Sequence, residues 1–318
     1  MPLGSPEAAP AHAAAAISSD EIDCVVAGVR SVRNRTPVTG AERFHLGSNT
    51  KAMTATLAAI AVERKAPGWT TDGAEVIGTE RVRCVRLERL LSHTGGVRAL
   101  TEDEELIGLP DDRHALAELL LREEPLFRPG SDAAYSNGGY AIVSAMLEAA
   151  LGVDFEHALR RELFEPLGLE AGFGWPDGLP GHYSRDGVLV PHDHEDGYAL
   201  PRTLTAAGDV NATIESYARF VQLHLRGLRG DPYLLRSTTY SKLHSPIVDP
   251  FALGWGVQEW EGARTSVHAG SAETFFAVVA LQAERDFAAV AVVNAGGPQA
   301  EQEAVELVRK LVRDRSVE

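Results

Sequence analysis

Apolar positions along this chain follow two periods. Near the ends they form short, almost continuous runs, and through the middle they recur at helical spacing. Ile22 to Val29 predicts a buried strand and Arg43 to Leu46 a second, joined by a charged connection containing Pro and Gly. Ser48 to Arg64 predicts a helix stopped by Pro67-Gly68, and residues 69–85 are irregular. Val85 to Ser92 is a short helix. Asp112 to Glu124 is a longer one with an apolar face of Leu116, Leu119 and Leu120. Further helices are expected at Gly139–Leu151, Phe155–Phe164 and Thr213–Leu225. Residues 171–205, rich in Gly, Pro, Asp and His, predict a long loop with a small hairpin. The character then changes: Gly254–Trp260, Thr265–His268, Thr274–Gln282 and Phe287–Val293 are strands rich in Val, Phe and Trp. Gln302–Arg313 closes the chain as an amphipathic helix through Ala304, Val305, Leu307, Val308, Leu311 and Val312. Strands at both ends with helices between predict an α/β (α+β) architecture. Its sheet domain draws on residues 19–50 and 245–318, and a mostly helical domain, residues 51–244, is inserted. Residues 1–18, rich in Ala and Pro, read as a disordered leader.

The stretch Ser48-Asn49-Thr50-Lys51 stands where a short extended run gives way to the first helix. Positions three apart share a helix face, so Lys51 can reach the Ser48 hydroxyl. A serine is a poor nucleophile at neutral pH without a base beside it, and an unprotonated lysine can serve. A helix N-terminus also offers free N–H groups to a developing negative charge. Taken alone, the tetrapeptide is better accounted for as a capping serine followed by a solvated lysine.

Two later blocks add to it: Tyr135-Ser136-Asn137, after the turn Phe127-Arg128-Pro129-Gly130-Ser131, and His268-Ala269-Gly270-Ser271. In order, the three blocks resemble the S-x-x-K, Y-x-N and K/H-x-G motifs of the penicillin-recognising serine hydrolases. The branch is that of the class C β-lactamases, with D,D-peptidases, esterases and acyltransferases. Leu90-Leu91-Ser92-His93-Thr94-Gly95-Gly96, Ala206-Ala207-Gly208-Asp209-Val210, Leu253-Gly254-Trp255-Gly256-Val257 and Val293-Asn294-Ala295-Gly296 resemble intervening segments of that family, so the likeness runs from about Phe44 to the C-terminus. It implies a mostly antiparallel sheet flanked by helices and built from both chain ends, with the active site at the domain interface. It implies Ser48 as nucleophile, Lys51 as its proton acceptor or relay, and Tyr135 as the second acid/base. Asn137, His268 and Gly270 are implied as substrate-binding residues, and the backbone N–H groups of Ser48 and Ser271 as the oxyanion hole. Family members carry a longer strand pair before the nucleophile, so the sheet here is expected to lose a strand or to have a clipped edge. Apart from the resemblance, Tyr135 fits a packed tyrosine, Asn137 a helix cap, and His93 and the tryptophans Trp69, Trp175, Trp255 and Trp260 fit packing roles.

A formal net charge of −15 excludes a phosphate-tracking or anionic-membrane surface, so neither nucleic acid nor membrane is expected as a partner. Cys24 and Cys84 lack C-x-x-C partners and read as reduced, mostly buried thiols. His182, His192-Asp193-His194 and Glu195-Asp196 offer metal donors, but their spacing matches no closed site. A polar loop at the pocket rim is the reading, with no metal and no cofactor. Met1–Ser18 lacks a cationic n-region and a continuous apolar core, and no run approaches a membrane span. A cytoplasmic location follows as the expectation, and it favours an esterase or biosynthetic transacylase over an enzyme of the cell wall. Histidine in place of lysine at position 268 points the same way, since a neutral imidazole does not hold a substrate carboxylate as an ammonium does. The reading is thus a serine acyl-enzyme hydrolase or acyltransferase acting on a small ester or amide, with an amine or alcohol acceptor open as second substrate. Pocket walls are expected from the loops around 97–110 and 171–205. The alternatives are a D,D-carboxypeptidase or weak class C-like β-lactamase, and a non-catalytic binding protein of the same fold.

Overall fold

The computed structural model describes residues 9–65, 67–79, 85–100, 108–185, 188–192 and 200–315. Its main sheet has six antiparallel strands in the order β2-β1-β11-β10-β9-β8. These are β1 (Ala11–Ile17), β2 (Ile22–Gly28), β8 (Gly256–Trp260), β9 (Ala263–Ser271), β10 (Phe276–Gln282) and β11 (Phe287–Val293). The sheet is therefore built from both ends of the chain, as the strand pattern predicts.

Two-residue alternation divides the sheet's side chains between two cores. Ala13, Ala15, Ala277, Val279, Val290 and Val292 join the large core, while Ala14, Val278, Ala280, Ala289 and Ala291 face the C-terminal helix Pro298–Arg315 through Ala304, Val308 and Val312. On the large-core face the helix Ile214–Leu228 packs against β1, β2, β10 and β11. The sequence pattern places that helix in the inserted helical part; it packs on the sheet and also touches the helix Ser237–Leu243.

Residues 11–17 correct the reading of 1–18 as a disordered leader. They form β1, which is hydrogen-bonded on both edges and covered on both faces. Its alanines suit a strand with helices above and below, where larger side chains would hold the helices off. With β1 in place the sheet does not lose the strand that the short hairpin before the nucleophile suggested. Cys24, on the edge strand β2, is exposed rather than buried, and Cys84 lies outside the described residues.

The helix Thr50–Glu63 is buried without interruption from Thr50 to Ala61, so it is the central helix, apolar all round. The helix Asn137–Leu151 lies against it, capped by the Ser136 hydroxyl, which accepts the Gly139 N–H at 3.0 Å. A three-stranded sheet joins β3 (Phe44–His45), β7 (Val210–Ala212) and β4 (Ala171–Phe173). The 171–205 region also holds the expected hairpin, β5 (Gly181–Arg185) with β6 (Val188–His192). No single helix among the described residues is long and apolar enough to cross a membrane.

Candidate active site

Ser48 lies in a 3-10 turn, Gly47–Asn49, between β3 and the central helix. Two glycines seat this turn on the end of β9. Gly47 has φ of +51°, and a Cβ there would stand 2.6 Å from the Ser271 carbonyl oxygen. A Cβ on Gly270 would fall 2.2 Å from the Leu46 carbonyl oxygen and 2.6 Å from the Ser48 nitrogen. Gly270→Ala is accordingly expected to push β9 off the turn and lower kcat/KM by about 100-fold or more, comparable to the loss of an oxyanion donor. Ester kinetics together with a thermal melt test this; unchanged turnover would mean the contact is not needed.

Buried polar side chains fix the turn from behind. The Asn49 amide donates to the carbonyls of Leu46 at 3.1 Å and Ala277 at 3.0 Å, and its oxygen accepts the Tyr217 hydroxyl at 2.7 Å. Thr50 Oγ1 donates to the Gly47 carbonyl at 2.8 Å and accepts the Val210 N–H at 3.0 Å. His45 Nδ1 accepts the Gly47 N–H at 3.1 Å, and its Nε2 is 3.4 Å from Asp209. The pattern signals these residues only weakly: each is a polar residue inside an otherwise apolar segment.

Lys51 is fully buried and points at Ser48. Its Nζ donates to Ser48 Oγ at 3.1 Å, to Asn137 Oδ1 at 2.8 Å and to the Ala207 carbonyl at 2.6 Å. A neutral amine has two N–H groups. If the two shorter bonds keep them, the lone pair faces the serine hydroxyl, as a base requires. The Tyr135 ring lies 4.7 Å from Nζ.

His93, read from sequence as a packing residue, holds the Tyr135 segment at three points. Its carbonyl accepts the Ala134 N–H at 3.0 Å, its Nδ1 accepts the Ser136 N–H at 3.1 Å, and its ring lies 4.4 Å from that of Tyr135. Burial, with Lys51 and His268 nearby, holds the His93 imidazole well below its ordinary pKa. His268 is likewise lowered, by loss of solvent and then by Lys51, though its side chain is only partly covered and the shift is correspondingly smaller than for His93. Both rings are therefore neutral at pH 7.

The β9–β10 register pairs Ser271 with Phe276, and Ala272 donates to the Phe275 carbonyl at 3.0 Å. Hydrogen bonding alternates along such a ladder, so the Ser271 N–H turns away from β10. Beside the turn a recess of about 80 Å³ is lined by His45, Ser48, Asn137, Leu204, Gly208 and Ser271. On the other flank a cavity of about 340 Å³ runs past Tyr135 and His268 to Phe251 and Trp260. Much of its wall comes from residues 250–260. Of the expected loops, 171–205 lines the smaller recess through Leu200 and Leu204, and residues 101–107, 186–187 and 193–199 lie outside the described residues.

Asp193, His194, Glu195 and Asp196 are in that outside group. His192 sits 5.8 Å from the Trp175 ring, and buried His182 donates through Nδ1 to the Asn294 carbonyl at 2.9 Å. Among the described residues no group of three or more His, Cys, Asp or Glu could hold a metal.

Comparison with known proteins agrees with this geometry. The sequence profile of the family described as Beta-lactamase matches residues 8–313. The chain is 27% identical to "Penicillin-binding protein 4" of Amycolatopsis lactamdurans, over 90% of this chain and 81% of that protein. It is also 27% identical to "Beta-lactamase" of Escherichia coli (strain K12), over 63% of this chain and 52% of that one. The octameric penicillin-binding protein homologue from Pyrococcus abyssi superposes with a TM-score of 0.83 at 18% identity, over 96% of this chain and 74% of its own. SurE superposes with a TM-score of 0.82 at 23% identity, over 96% and 73%. The two superpositions bear on fold alone, and with the profile match across nearly the whole sequence they lead to one conclusion: this chain belongs to the beta-lactamase family of serine hydrolases.

Proposed function

We propose that the protein is a serine acyl-enzyme catalyst that cleaves or transfers the acyl group of a small ester or amide. The observation that carries the reading is the Lys51 Nζ, buried and placed between Ser48 Oγ, Asn137 and the Ala207 carbonyl. Ser48 Oγ attacks the acyl carbonyl carbon as its proton passes to neutral Nζ. The N–H groups of Ser48 and Ser271 receive the oxyanion. The bond to the leaving oxygen or nitrogen then breaks, and that atom takes a proton from the Tyr135 hydroxyl. Water, or an amine or alcohol acceptor, attacks the acyl-serine. Its proton returns through Tyr135 and Lys51, and Ser48 Oγ–H is restored. His93 keeps Tyr135 in place through both halves.

A second reading, a D,D-carboxypeptidase or weak β-lactamase, draws support from the naming of the relatives. Neutral His268 argues against it, because those substrates carry a carboxylate that needs a cation.

Intact-mass spectrometry after mixing with p-nitrophenyl acetate tests the lead reading. An adduct of one acetyl group on Ser48 is expected, absent in Ser48→Ala and discharged faster when an amine acceptor is added if the enzyme transfers. No adduct and no turnover would sink the reading. A stable benzylpenicillin adduct on Ser48, with no ester turnover, would favour the second.

A further inference from the structure

The 340 Å³ cavity falls within the size range of small-molecule sites and meets the proposed catalytic group at Tyr135 and His268, while Ser48 lines the neighbouring recess. Phe251, Trp255, Trp260 and Val267 supply most of its apolar wall, and His268 and Tyr135 its polar edge. Among the described residues no Lys, Arg, Asp or Glu lines it. Lys51 lies on the Ser48 side of Tyr135, and the Arg309 guanidinium, 5.0 Å from the Trp260 ring centroid, is not part of the lining.

We propose that this cavity is the subsite for the leaving group of the substrate, and that it takes an uncharged, ring-sized apolar group and rejects one bearing a carboxylate. The inference rests on the acyl-enzyme reading above. In that reading Tyr135 protonates the leaving atom, which places the leaving group against the Tyr135 wall. An aryl or branched alkyl group entering there gains contact with Phe251 and Trp260 and loses water at little cost. A carboxylate is stripped of water without a cation to replace it, since the two imidazoles at the cavity edge are neutral. Selectivity therefore comes from an unpaired charge in the wrong substrate as well as from contact with the right one. The same wall explains why Trp260, which reads as a packing residue, is only partly buried; its Nε1 donates to Gln258 at 3.2 Å, itself on the cavity lining.

The test compares 4-ethylphenyl acetate with 4-(carboxymethyl)phenyl acetate, whose phenols are of near-equal acidity, so the chemistry of departure is matched. The neutral ester is expected to be favoured about 10- to 100-fold in kcat/KM. Trp260→Ala should shrink that ratio by raising KM for the neutral ester alone. His268→Lys should shrink it from the other side, by raising kcat/KM for the carboxylate ester. Equal rates for the two esters in the wild type, or a ratio unmoved by Trp260→Ala, would overturn the subsite and leave the acyl-enzyme reading standing. No Ser48-dependent turnover of either ester would overturn both.

Discussion

Ser48→Ala, Lys51→Met and the double variant are expected to fall to one common residual rate, about 10⁴-fold or more below the wild type in kcat/KM. A serine without its base and a base without its serine are equally inert, so the losses do not multiply. Lys51 is the more telling position. Its Nζ is the hub of three contacts, to Ser48, Asn137 and Ala207, and no water reaches it. Methionine keeps the length and apolar stem of the side chain and removes the amine with its N–H groups and lone pair. It leaves the Ala207 carbonyl short of a donor, which costs about 1–3 kcal/mol, less than a domain's net stability. The variant should therefore fold, with unchanged circular dichroism and a melting point lowered by several degrees, and still be dead. Turnover of p-nitrophenyl acetate with a folded-protein control decides it. A Lys51→Met enzyme keeping more than about a tenth of its activity would remove Lys51 from the proton path, and a double variant much worse than either single would show that the two residues act separately.

The site was legible in sequence where its chemistry depends on local spacing. Ser48 and Lys51 are three residues apart on a 3-10 turn that runs directly into the helix, so local geometry alone joins them, and the structure gives 3.1 Å between their reacting atoms. Asn137 and His268 were legible only through the order of motifs, because nothing local brings residue 137 to residue 51. The interior of the sheet was partly legible. Phe276–Gln282 and Phe287–Val293 are apolar runs with β-branched residues, but Ala11–Ile17 has neither alternation nor β-branched residues until its last position. Its strand state comes from pairing with Ile22–Gly28 and Phe287–Val293, a tertiary fact that propensity does not carry. The same holds for Asn49 and Tyr217, whose hydrogen bond spans 168 positions, and for Phe251 and Trp260, which line one cavity with Tyr135 and His268. Spacing says which residues can meet along an element. Which elements meet, and what space they leave between them, is set by packing.

Stability should fall with acid between about pH 6.5 and 4.5, from four imidazoles held neutral in the fold, two of them with no part in the chemistry proposed here. Four side chains form a one-way hydrogen-bond chain. Thr56 donates to the Ala52 carbonyl at 2.8 Å, so it must accept from His224 Nε2 at 3.0 Å. His224 Nδ1 then accepts from His244 Nε2 at 2.9 Å, and His244 Nδ1 accepts the Ser266 hydroxyl at 2.7 Å. The chain ties the nucleophile helix to β9; a proton on His224 Nδ1 would set two donors face to face at His244 Nε2, and a proton on His244 would leave a cation in a buried site. Burial pushes His224 down to about 3, and burial, His224 and Arg264 hold His244 well below its ordinary value. His93 and His268 are lowered as well. All four take up protons near pH 6.5 once unfolded, so below that pH the unfolded chain binds more protons than the folded one. Stability is then complete above pH 6.5 and is lost as pH falls, by up to about 1.4 kcal/mol per pH unit for each ring. Together the rings can remove a substantial part of a domain's net stability of about 5–15 kcal/mol. Carboxylates enter later: Glu162, which Arg64 holds below its usual range, gives up its contribution only below about pH 4.5. Urea unfolding at half-unit steps of pH measures the slope. The double variant His224→Gln, His244→Gln should be less stable at pH 7 yet lose about half of the acid slope, since two of the four rings are gone. A wild type equally stable at pH 6.5 and 4.5, or a double variant with the wild-type slope, would show that these rings are not the groups that titrate on unfolding.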